Sequence, residues 1–172
     1  FTGRINMNLR EDKGYTYGAR GGFIRSNQAG TYSIYSKVKS ETTRASIDEI
    51  LKELTMIHGD KPLTDEELGA AKGNLIKKFP ARFERISGVA GRLGSVAAKR
   101  HPHDWYSKWV SKVKAIDLEA ATNTGRKYTD PAGFHIIVAG DYAKIGESLK
   151  GLALPLFFYD AQGNRIEGPE KQ

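Results

Sequence analysis

Residues 9–39 read LREDKGYTYGARGGFIRSNQAGTYSIYSKVK, and how this stretch divides decides the fold. A helix-like run ends on Leu9, Arg10 and Glu11 and breaks at Gly14, where the missing Cβ lets the backbone turn. Residues 15–23 then read as a strand, the Ser-Asn-Gln-Ala-Gly stretch at 26–30 supplies a turn, and residues 30–39 alternate. Tyr32, Ile34, Ser36 and Val38 share one face, with Thr31, Ser33, Tyr35 and Lys37 on the other. The reading is a β-hairpin that follows a helix end, with an arginine and a tyrosine on either side of the break.

Outward from the hairpin the period changes to that of helices. Ile47, Ile50, Leu51 and Leu54 follow helical spacing, with Thr42, Thr43 or Ser46 available as caps and Gly59 as the stop. Thr64 and Glu67 form a capping box for a stripe through Leu68, Ala71, Leu75 and Phe79. Pro80 should kink or divide that helix before the stripe resumes from Phe83 to Ala97. Asp104 precedes a short amphipathic helix through Trp105, Trp109 and Val113, and Asp117 caps another to Tyr128. Phe134 to Ala139 is an almost continuous apolar run, the pattern of a strand inside a sheet, and Gly140-Asp141 leads into a helix with Ile145 and Leu149. Residues 155–159 read as a last strand, followed by a turn and a polar tail. Hairpin first, helices grouped in the middle: the expected class is α+β, an antiparallel β-sheet with helices packed on one face, over residues 1–172 as a single partial domain.

Composition bounds the function. The 172 residues can bury a sizeable core, and no apolar run approaches the roughly 18 residues that span a bilayer. No cysteine is present, so disulfides, thiolate metal sites and a cysteine nucleophile are excluded. The chain opens on Phe1 with no signal-peptide pattern near it; the expectation is a domain that lacks its N-terminal part. The net charge of +7 is uneven: residues 72–114 hold eleven cations against two carboxylates, and residues 1–44 eight against three. A basic surface suits nucleic acid or acidic peptides, but a basic helix is more often a solvated face.

The candidate sites each have a plainer reading. Gly18, Gly21 and Gly22 sit in a strand with no helix after them, so they do not cradle phosphate; they let another group approach the backbone. His101 and His103 are too few for zinc, and His58 and His135 lie on other elements. No His-x-x-Glu-His or His-Glu-x-x-His stretch occurs, so the chain alone lacks a zinc-peptidase centre. Trp105, Tyr106 and Trp109 among lysines could stack bases, although Trp105 and Trp109 align with Val113 as core residues do. Arg10 could serve its own helix end, and Tyr17 could be an ordinary strand aromatic.

The run from Phe1 through Arg10, Gly14 and Tyr17 resembles the second-half signature of pitrilysin-type (insulinase-like, processing-peptidase-like) zinc metallopeptidases, in which L-R-E-x-x-G-x-x-Y takes a helix into a strand. Thr64 to Lys72 and Ile136 to Asp141 resemble two later motifs of the family, in the same order. The resemblance implies a non-zinc-binding half-domain whose partner half binds zinc through an inverted His-x-x-Glu-His motif, with its first glutamate as general base. It implies that Arg10 and Tyr17 stabilise substrate or oxyanion in trans, that this chain holds no cofactor, and that an extended peptide is the substrate. Tyr15 falls where the family often has an apolar residue and takes no such role. An exposed sheet edge would favour pairing with a second copy. The resemblance alone favours a bacterial periplasmic setting over the cytoplasm. The rival readings are an inactive family member serving as a peptide-binding scaffold, and a basic nucleic-acid-binding module using residues 72–114; the half-domain reading includes neither nucleic acid nor membrane as a partner.

Overall fold

A computed structural model describes residues 2–25, 30–152 and 154–168. The chain divides into two compact units: residues 1–23, 32–55 and 131–172 form one, residues 24–31 and 56–130 the other.

The first unit begins with a turn of helix, α1 (Arg4–Asn6), which widens into a π-helical segment, Met7–Asp12. Lys13 donates its N–H to Asn8 and Tyr15 donates to the Leu9 carbonyl at 2.8 Å, which closes the helix end onto the start of a strand. Gly14, at φ +64°, makes the turn between them, a conformation that glycine adopts without steric cost. Strands β1 (Thr16–Arg25) and β2 (Gly30–Val38) pair as a hairpin. The turn expected at 26–30 falls, but for Gly30, outside the described residues. β2 alternates as its sequence implies: Tyr32, Ile34, Ser36 and Val38 are half-buried and their neighbours exposed.

Helix α2 (Thr43–His58) follows, and a short core forms where its Ile47 meets Ile145 and Leu149 of a later helix, with Leu51 and Leu152 packed against them. The Arg44 guanidinium ties the same two helices, binding Asp48 at 2.8 Å and the Ser148 carbonyl at 3.1 Å. Leu9 and Leu54 are the largest fully buried side chains.

In the second unit the capping box of Thr64 and Glu67 opens α3 (Asp65–Lys77) as expected. Pro80 does divide the stripe: a 3-10 turn, Pro80–Phe83, separates α3 from α4 (Ile86–Ala98). The next helix is shorter than the sequence suggests, α5 (Trp109–Lys114), because residues 103–108 form turns in which Trp105 and Lys108 donate to Pro102 and Asp104. Lys72 caps its end, donating to the Lys114 and Ile116 carbonyls, both at 2.6 Å. Helix α6 (Leu118–Tyr128) is capped by Asp117, whose carboxylate accepts the Ala120 N–H at 2.7 Å.

The first unit resumes at Pro131. The apolar run from Phe134 to Ala139 forms no ladder strand, which corrects the sequence reading. Among the described residues no strand pairs with it, and Ile137 is left 92% exposed. Asp141 caps α7 (Tyr142–Lys150), the helix that supplies Ile145 and Leu149. The last strand is a two-residue β3 (Phe158–Tyr159), paired antiparallel with β4 (Arg165–Ile166), a second hairpin the sequence reading did not include. The Asp160 carboxylate builds its turn by accepting the Asn164 side-chain amide and the N–H groups of Asn164 and Gln162, and these bonds, the Asn164 side chain first, hold its pKa below the ordinary value. The α+β class therefore stands, with two antiparallel two-stranded sheets among the described residues, the long β1–β2 hairpin and the short β3–β4 pair.

Candidate functional site

Arg10 lies in the π-helical segment and Tyr17 in β1, one turn of chain apart. The Leu9–Tyr15 hydrogen bond fixes the ends of that turn, so by chain geometry the two Cα atoms are no more than roughly 16 Å apart. Tyr17 is 100% exposed. The Arg10 side chain is half-buried, with its Nε 3.4 Å from the Glu11 carboxylate.

Strand β1 does not alternate evenly, and the irregularity determines where its side chains go. The Thr16 hydroxyl bonds the Ser36 hydroxyl at 3.0 Å, so Thr16 is on the half-buried face of the hairpin. Five residues on, Gly21 is on that same face: a Cβ there would stand 2.7 Å from Tyr32 Oη and 3.7 Å from Ile34. Phe23 follows it, with ring centroid 5.0 Å from that of Tyr32. Two positions an odd number apart cannot share a face in a regular strand, so the parity shifts once between them, as in a β-bulge. The shift occurs where the Asn6 side-chain oxygen accepts the buried N–H of Ala19 at 2.9 Å, and Thr16 Oγ1 accepts the Gly18 N–H at 3.1 Å. Its effect is to turn Tyr17, before the shift, and Arg20, after it, toward the same outer face.

Of the three hairpin glycines only Gly21 lets another group approach closely; Gly18 makes ordinary contact and nothing lies within 4 Å of a Cβ at Gly22. Gly21 admits Tyr32, and Gly18 lies 3.6 Å, measured from a built Cβ, from the Asn6 oxygen. Burial pushes the Tyr32 phenol up, and its ring also meets Phe134 edge-on at 6.2 Å.

Beneath the π-helical segment is a polar anchor the sequence reading missed. The Asn8 amide donates to Glu49 at 2.9 Å and to Glu53 at 2.8 Å, both on α2. The bond from Asn8, with Lys52 and Lys13 nearby, holds the Glu49 carboxyl below its usual range against the opposing effect of burial. Glu53, buried within a helix whose other buried residues are apolar or small, was the available signal.

The other candidates are engaged locally. His101 stacks on Trp105 at 3.9 Å and Lys112 stands 4.2 Å over that indole. Trp109 stacks on Phe79 at 4.5 Å, and Phe83 and Tyr106 complete the cluster. His58 meets the Thr129 hydroxyl at 3.3 Å. Among the described residues no group of three His, Cys, Asp or Glu side chains could hold a metal ion.

Residues 1–75 match the family model described as the peptidase M16 inactive domain. Among solved structures the chain is similar to a peptidase M16 inactive domain from Pseudomonas fluorescens, with a TM-score of 0.66 and 19% identity over 74% of this chain. At that identity the likeness establishes the shared fold, and the match spans 30% of the Pseudomonas chain. No curated protein matches.

Proposed function

We propose that this chain, whose residues 1–75 match the model of the peptidase M16 inactive domain, is the non-zinc-binding half of a two-part metallopeptidase and lends Arg10 and Tyr17 to a zinc site in its partner half. The observation that supports this reading is the bulged strand: it presents the Tyr17 phenol wholly to solvent, one clamped turn from Arg10.

Zinc in the partner half would polarise the scissile carbonyl and activate water. The work left to this chain is to receive negative charge as it develops on the peptide oxygen. The Tyr17 hydroxyl donates one hydrogen bond to it; the Arg10 guanidinium donates to the same oxygen or to the next carbonyl along. The present contact of Arg10 with Glu11 is partly exposed, and such pairs are weak enough to be exchanged for substrate. Because both donors come from a separate half, water is excluded and the site completed only when the halves close on an extended peptide.

The test is reconstitution with the zinc-bearing half. Arg10→Ala and Tyr17→Phe should each lower kcat by about 10²–10³-fold, the usual cost of one lost donor, with thermal unfolding unchanged. Wild-type turnover in either variant would overturn the assignment.

A further inference from the structure

We infer that the outer face of the β1–β2 hairpin selects extended peptides that carry carboxylates beside the scissile bond. This deepens the reading above and rests on it.

The Lys39 N–H donates to the Tyr15 carbonyl and the Thr16 hydroxyl to the Lys37 carbonyl, a register that sets Lys37 across from Tyr17. Tyr35 is the next outward residue of β2 and is exposed. Arg20, turned outward by the parity shift, extends the same surface along β1. The face thus combines two exposed phenols, Tyr17 and Tyr35, with the cations Arg20 and Lys37.

The charges of these cations are not consumed internally. On neighbouring elements Arg10 contacts Glu11, Lys13 contacts Glu49 and Arg44 contacts Asp48. Among the described residues no carboxylate pairs with Arg20 or Lys37. The exposed acids nearest these strands in sequence, Glu11 and Asp12 on the π-helical segment and Glu41 on the 3-10 turn after β2, lie off the strands. An extended strand laid on this face would present every second side chain to it. A carboxylate at such a position meets a cation, whereas a lysine meets like charge.

Three fluorescein-labelled ten-residue peptides test this, carrying Glu, Lys or Gln at alternate positions. They are titrated by anisotropy into the chain reconstituted with the zinc half, under EDTA so that binding is read without turnover. The Glu peptide should bind about tenfold tighter than the Lys peptide at low salt, as expected for two surface charge pairs, and the gap should narrow as salt rises. The doubly reversed variant, Arg20→Glu with Lys37→Glu, should invert the order and leave the Gln peptide unchanged; both side chains are exposed, and circular dichroism confirms the fold. Equal affinity for all three peptides, tighter binding of the Lys peptide, or a Glu preference that survives the double reversal overturns the inference and leaves the half-domain reading intact. Failure to bind any peptide, the Gln peptide included, overturns both.

Discussion

The side-chain oxygen of Asn6 accepts the backbone N–H of Ala19 at 2.9 Å, with both residues buried. This bond joins the helical N-terminal segment to β1 where the strand changes parity, and it satisfies a donor that the irregularity would otherwise orphan. Asn6→Ala should therefore destabilise the fold by about 1–3 kcal/mol, the cost of an unpaired buried amide. Urea denaturation measures it. A loss under about 0.5 kcal/mol would mean that solvent reaches Ala19 and that the strand does not depend on the bond.

Much of this architecture is legible in the residues, and the exceptions have physical causes. The hairpin, the capping box at Thr64 and the break at Pro80 depend on neighbours in sequence, and periodicity and capping report such features directly. The run from Phe134 to Ala139 has strand composition, but a strand exists only if a second segment offers it hydrogen bonds, which its own residues cannot reveal. The helix at Trp105 begins late because Asp104 uses its carbonyl and carboxylate on Ser107 and Lys108, holding a turn instead. For the site, Arg10 and Tyr17 are visible as a motif, and Gly14 as the turn between them. The bulge that sends Tyr17 and Arg20 to one face is invisible, since it depends on Asn6 reaching a backbone thirteen positions away.

Glu49 makes acid stability dependent on Asn8. The hydrogen bond from Asn8, then the charges of Lys52 and Lys13, depress the Glu49 pKa below its ordinary 4.5. A carboxyl with a depressed folded pKa adds stability that is fully present above 4.5 and is lost as pH falls through the folded value. Unfolding free energy should thus decline below about pH 4.5 in the wild type. In Asn8→Ala the neutral-pH stability should be lower and the acid-side decline shallower. Equal slopes in urea titrations at several pH values would show that Asn8 does not set the Glu49 charge.

Just past the end of helix α4, Arg100 stands at φ +52°, in the left-handed region, while His101 donates to the Val96 carbonyl at 2.9 Å. That bond pattern is a helix stop at which glycine is the usual occupant, because a Cβ is strained there by about 1–2 kcal/mol. Arg100→Gly should relieve the strain, partly offset by the greater freedom of glycine in the unfolded chain, for a net gain of about 0.5–1 kcal/mol. Differential scanning calorimetry would register a higher Tm; a lower one would mean that the Arg100 side chain contributes more than its backbone costs.

Gly21 and Tyr32 constitute the tightest fit in the hairpin. A Cβ on Gly21 would lie 2.7 Å from Tyr32 Oη and 3.4 Å from Cζ. The phenol has little room to withdraw, because Phe23 stands 5.0 Å from its ring on one side and Phe134 6.2 Å away. Gly21→Ala should cost about 1–3 kcal/mol through overpacking and shift the ring against Phe134. Since the clash is chiefly with the hydroxyl, Gly21→Ala combined with Tyr32→Phe should recover most of that loss, and the two changes should couple strongly in a double-mutant cycle. Additive effects would place the strain in the β1 backbone instead. Displacing β1 would also move Tyr17 on its opposite face, so Gly21→Ala should lower peptide turnover in the reconstituted enzyme, and the double variant should restore it in proportion to the stability regained.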